Sequence, residues 1–215
     1  MKSIAAIALL AAAGSAFANF QVTEIYAGIS GPDGTNDWFE VTNTGINAFD
    51  TGTLFWDDDN PNAGQGGQLD SFILQAGESA VFIINEEFDA TLVTEFEALW
   101  GSIDNLGFTN GGGNLSQNGD SINISIDGGT TFTTTVAFDG SFANSGATID
   151  TLNAFADSVI GVNGAYESNP FFNDNDLGGA DETATLIGSP GAIPAPGAAV
   201  LAATAGLAAA RRRRA

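Results

Sequence analysis

From residue 3 to residue 210 the chain contains no lysine, arginine, histidine or cysteine, yet that stretch carries all 26 of its acidic residues. A fold built from it can make no side-chain salt bridge and no disulfide. Every carboxylate must be solvated, hydrogen-bonded or bound to a cation. Stability then rests on apolar burial, for which 16 Phe and 3 Trp supply the area. The basic residues are confined to the ends, Lys2 and Arg211-Arg212-Arg213-Arg214, and the formal net charge is −21.

Each basic end abuts an apolar stretch. Lys2 precedes the apolar run 4–13, and Ala16-Phe17-Ala18 places small residues at Ala16 and Ala18, the pattern of a signal-peptidase site before Asn19. Residues 1–18 are therefore expected to form a signal helix that is removed on export. At the other end, Pro194-Ala195-Pro196-Gly197 leads into the Ala/Leu/Val run 198–210 and then the four arginines. As a helix that run is roughly 20 Å long, short against a hydrocarbon core of about 30 Å. Positive-inside logic leaves the arginines in the cytoplasm and the acidic body outside.

The order of motif, short apolar helix and arginine cluster resembles the PEP-CTERM sorting signal of Gram-negative bacteria, with Ala195 where that family usually has Glu. The resemblance implies recognition by an exosortase-type enzyme, a transient stay in the inner membrane through a transmembrane helix, and a final place at the cell surface or in the extracellular matrix. A simple tail anchor is the competing account.

Between these ends, residues 19–191 are long enough for one domain with a sizeable core. Short alternating or β-branched runs recur between Gly/Asn/Asp clusters, the look of an antiparallel β-sandwich. Strands are expected at 20–26, 37–43, 69–75, 79–84, 121–127 and 131–138. In the first, Val22, Glu24 and Tyr26 alternate with Thr23 and Ile25. Asp127-Gly128-Gly129 reads as a hairpin turn, and Asn110-Gly111-Gly112-Gly113-Asn114 as a flexible loop tip. One amphipathic helix is expected over 88–100, where Leu92, Phe96 and Leu99 recur, covering an end or edge of the sandwich.

Thr23-Glu24-Ile25 and Asp37-Trp38-Phe39-Glu40-Val41-Thr42-Asn43-Thr44-Gly45 resemble the opening of the lamin-tail domain family. Residues 74–83, the run Gly119-Asp120-Ser121-Ile122-Asn123-Ile124 and the loop Gly188-Ser189-Pro190-Gly191 continue the likeness. The resemblance implies an all-β, immunoglobulin-like antiparallel β-sandwich over 19–191, followed by a sorting segment over 192–215. It implies accessory or attachment roles and no single reaction.

Two loops concentrate oxygen ligands of the kind Ca²⁺ prefers: Asp57-Asp58-Asp59-Asn60 and Asn173-Asp174-Asn175-Asp176. The competing account is a solvated polar turn. No cofactor is required, and Ca²⁺ is the one ion these loops would take. In the run Asp37 to Val41, Trp38 and Glu40 share one strand face and Phe39 the other, so one aromatic belongs to the core while its neighbour shields a less buried face. Trp38 is primarily a packing residue, the alternative being an aromatic platform for a polysaccharide.

The side-chain inventory excludes most catalysis. Serine and cysteine triads need a His or Lys base, zinc sites usually need His or Cys, and phosphoryl transfer needs Lys or Arg. Carboxylate chemistry alone survives, and Asp50-Thr51-Gly52 has no second Asp-Thr/Ser-Gly to complete an aspartic-protease dyad. Nucleic acid is excluded as a partner for want of phosphate-binding cations. The expected function is non-enzymatic, in attachment or the extracellular matrix; a carbohydrate- or protein-binding accessory module is the alternative, and a carboxylate-based hydrolase a distant third. Signal peptidase and the sorting enzyme are the expected processing partners.

Overall fold

The computed structural model describes residues 20–29, 32–58, 61–64, 66–140, 145–173 and 182–192. The strands β1 (Phe20–Tyr26), β2 (Trp38–Asn43), β3 (Phe49–Asp50), β4 (Phe55–Asp57), β5 (Gly67–Gln68), β6 (Ile73–Leu74) and β7 (Ser79–Ile83) precede the one α-helix among these residues, α1 (Ala90–Trp100). After it come β8 (Leu106–Phe108), β9 (Gly119–Ser125), β10 (Phe132–Asp139), β11 (Ile149–Asp150), β12 (Ala156–Asp157), β13 (Tyr166–Glu167), β14 (Phe171–Asn173), β15 (Glu182–Ala184) and β16 (Ile187–Gly188). The class is all-β with one helix, as the alternating segments predict.

A six-stranded sheet runs β12-β11-β1-β2-β7-β8, and a four-stranded sheet runs β10-β9-β4-β5. Every pairing in them is antiparallel except β7 with β8, which the intervening helix allows to run parallel. The two sheets share a core: Val22, Ile25, Phe39, Val41, Ala80 and Phe82 from the larger pack with Trp56, Ile122, Ile124 and Phe138 from the smaller. This gives the sandwich character the sequence pattern points to.

The other face of the larger sheet is buried as well. There Tyr26, Trp38, Val81 and Ile83 meet Phe96, Leu99 and Trp100 of α1 and Leu186, just before β16. Asp89 caps the helix, accepting from the Thr91 N–H at 2.7 Å. Gly101, at φ 85°, closes its other end. The helix thus lies over a sheet face rather than at the expected end or edge of the sandwich. Consequently Trp38 and Phe39 are both fully buried, on opposite faces of one strand. The expectation of one buried aromatic beside a less buried face is corrected by this third layer.

A β-bulge between Val22 and Glu24 corrects a second expectation. The extra residue in β1 breaks the period of two. Val22 and Ile25 both enter the sandwich core, while Thr23, Glu24 and Tyr26 face the helix side. The stretch 69–75 is also not one strand. Its backbone changes partners, Leu69 N–H donating to Leu54 O and Asp70 N–H to Phe108 O, before β6 pairs with β3. The hairpin at Asp127 is present: β9 pairs with β10, and Asp127 Oδ1 accepts from Thr130 N–H, Thr131 N–H and the Ser125 hydroxyl. These bonds draw the Asp127 carboxyl below its ordinary range. Residues 110–114 are tied down, since Trp56 Nε1 donates to Gly111 O and Asp58 N–H to Gly112 O.

Candidate functional site

Register places Glu24 of β1 opposite Glu40 of β2, and both carboxylates are fully buried. No cation is present in the body to offset them. Hydroxyls and backbone amides do that work. Thr23 Oγ1 donates to Glu40 Oε1 at 2.6 Å, and Gly191 N–H donates to Glu40 Oε2 at 2.7 Å. Ser189 N–H donates to Glu24 Oε1 at 2.6 Å, the Ser189 hydroxyl to Oε2 at 3.1 Å, and Thr148 Oγ1 to Oε1. Behind them Thr42 Oγ1 pairs with Thr23 Oγ1 at 2.8 Å and Ser79 Oγ at 2.7 Å, while Thr148 Oγ1 pairs with Ser158 Oγ at 2.7 Å. A polar seam therefore crosses the apolar sheet, and residues 189–191 close over it.

Burial pushes the Glu24 carboxyl up to about 8, with Glu40 adding repulsion, and burial raises Glu40 to about 7 against the pull of its hydrogen bonds. Two carboxylates so placed titrate as a unit, and the pair retains a proton near neutrality. An acid held this way has the acid–base character of a catalytic group. Here its oxygens are engaged by the chain's own Ser189 and Gly191. Gly188 is what lets the segment come so close: a Cβ there would lie 2.9 Å from the Trp100 ring and 3.0 Å from Glu24 Oε1.

Gly191 also lines a cleft of about 440 Å³, together with residues that include Ser79, Trp100, Asp104, Asn105 and Tyr166. Trp100 and Tyr166 meet edge to face at 5.7 Å, and Tyr166 OH donates to Trp100 O at 2.8 Å. Trp100 Nε1 is buried without a hydrogen-bond partner.

Trp38 lies in the core between Tyr26, Phe96 and Trp100, fully buried, so it presents no platform at the surface. Asp57 is nearly buried, and its carboxylate accepts from Asp58 N–H and Asn62 N–H, each at 3.1 Å. Asp58 O accepts from the Asn123 side-chain amide. Asn173 is buried and donates to Pro32 O at 2.7 Å. Asp59, Asn60, Asp174, Asn175 and Asp176 lie outside the described residues, as do Ala16, Ala18, Pro194, Ala195, Pro196, Gly197 and Arg211, Arg212, Arg213 and Arg214. No helix among the described residues is long and apolar enough to cross a membrane. Asp50 caps a turn, accepting from Gly52 N–H at 2.9 Å and the Ser71 hydroxyl at 2.7 Å, which accounts for the Asp-Thr-Gly run.

Sequence reasoning missed the carboxylate pair, although Glu24 and Glu40 stand in the two motifs singled out there. A Glu inside each of two strands that are otherwise rich in apolar and β-branched residues, Thr23-Glu24-Ile25 and Phe39-Glu40-Val41, was the available signal. No family model, curated protein or solved structure matches the chain.

Proposed function

We propose that the chain is an exported, non-enzymatic surface or matrix protein of a Gram-negative cell, a lamin-tail-like, immunoglobulin-like sandwich delivered by its end signals and sorted by an exosortase-type enzyme. The observation that carries the non-enzymatic reading is the fate of Glu24 and Glu40. They form a carboxylate pair suited to acid–base work, and it is spent on holding residues 189–191. Targeting is carried by the basic and apolar ends, and an acidic body outside the membrane suits a calcium-bridged assembly. The strand β10 offers a route to assembly. It is an eight-residue edge of the smaller sheet, uncharged until Asp139, with Thr133, Thr135 and Ala137 exposed. Natural edges are usually blunted by charge or proline against such pairing.

Sedimentation velocity of the full chain with and without millimolar Ca²⁺ tests this reading. A matrix component grows in size when calcium screens and bridges its carboxylates. A chain that stays monomeric throughout contradicts it. A second reading, a carbohydrate-binding module, is favoured by the Trp100–Tyr166 cleft with its unpartnered indole N–H. It predicts a constant monomer whose tryptophan fluorescence changes with a neutral oligosaccharide.

A further inference from the structure

The loop before β2 carries Asp33-Gly34-Thr35-Asn36-Asp37, in which oxygen-bearing side chains recur at alternate positions. That is the spacing with which a calcium loop turns its first, third and fifth side chains onto one ion. The structure brings Asp33, Thr35 and Asp37 into the wall of one cavity of about 220 Å³, with Asn114 also lining it. Gly28 marks where the two carboxylates converge. A Cβ at that residue would stand 2.9 Å from Asp33 Oδ2, 3.0 Å from Asp37 Oδ1 and 3.3 Å from Gln117 Nε2, so the carboxylates can approach the backbone there because residue 28 has no side chain.

One observation separates this place from an ordinary acidic turn. Thr35 is 4% exposed, and its Oγ1 is buried without a hydrogen-bond partner. A hydroxyl left this way costs free energy unless something absent from the protein itself completes it. Backbone N–H groups of Ile29 and Leu115 reach the two carboxylates, which leaves further acceptor positions on each.

We propose that Asp33, Thr35 and Asp37 form a binding site for one hard divalent cation of the Ca²⁺ class, completed by neutral oxygens from the cavity wall. No group of three or more His, Cys, Asp or Glu suited to a metal occurs among the described residues. The site is accordingly mixed, with two carboxylates and uncharged oxygens. Such a donor set belongs with the weak extracellular class, with dissociation constants of about 10⁻⁴–10⁻³ M. The site does not depend on whether the protein is a matrix component or a binding module.

The test is calcium titration of the full chain by calorimetry, with ultraviolet-sensitised terbium emission as a second readout through nearby Tyr26, whose hydroxyl donates to Asp33 O at 3.3 Å. Asp33→Asn and Asp37→Asn each weaken binding at least tenfold, and Thr35→Val weakens it several-fold. Asp58→Asn leaves this site unchanged. In EDTA, Thr35→Val melts no lower than the parent, because it removes a buried hydroxyl that is unsatisfied without the ion. If one aspartate variant fails to fold, Thr35→Val and the terbium signal carry the test. Absence of binding at millimolar Ca²⁺, or binding that Asp33→Asn, Asp37→Asn and Thr35→Val all leave intact, overturns the proposal.

Discussion

At the scale of single residues, a chain without interior cations has replaced salt bridges with hydroxyls. Thr23, Thr148 and Ser189 donate to Glu24 and Glu40 where lysine or arginine does so elsewhere. Gly188 is the tightest point of that arrangement. Gly188→Ala would press a methyl group against the Trp100 ring, the Thr148 methyl and Glu24 Oε1. Overpacking of this kind costs about 1–3 kcal/mol, and chemical denaturation of the variant should show a loss in that range. A loss below about 0.5 kcal/mol would mean the segment does not sit tightly on the pair. The glutamates themselves were legible only as residues of a motif. Sequence periodicity assigns them a strand face, but it does not say that residues 189–191 return to cover that face.

At the scale of elements, periodicity located β1, β2, β7, β9, β10 and α1 to within a few residues, because each pairs or packs along most of its length. It failed where tertiary contacts intervene. The bulge at Val22–Glu24 reverses the faces of the residues before it, and 69–75 divides its hydrogen bonds between different partners. The helix was legible from Leu92, Phe96 and Leu99, yet its seat on the sheet was not, since an apolar stripe does not name what it covers. One element carries a prediction for assembly. Ala137 is exposed on β10 and pairs with Ser121 inside the sheet. Ala137→Asp would set like charges face to face if two copies join through this edge. Calcium-dependent growth in sedimentation should then fall strongly while the melting temperature holds; unchanged growth would place the contact elsewhere.

At the scale of the whole molecule, the body is a polyanion that folds by keeping protons on some of its acids. Glu24, raised to about 8, and Glu40 and Asp37, each raised to about 7, hold protons in the folded state at pH values where the unfolded chain has released them. The folded state therefore binds more protons between about pH 4.5 and 8, and stability must fall as pH rises through that window. The sequence made the absence of counter-charge plain, but not which carboxylates would be buried. The most direct measurement is the unfolding free energy of the full chain in EDTA across pH 5 to 9, beside Glu24→Gln and Glu40→Gln. The account predicts a decline on the order of a few kcal/mol toward high pH, shallower in either variant; a curve that is flat or rises, or one with the same slope in both variants, would contradict it.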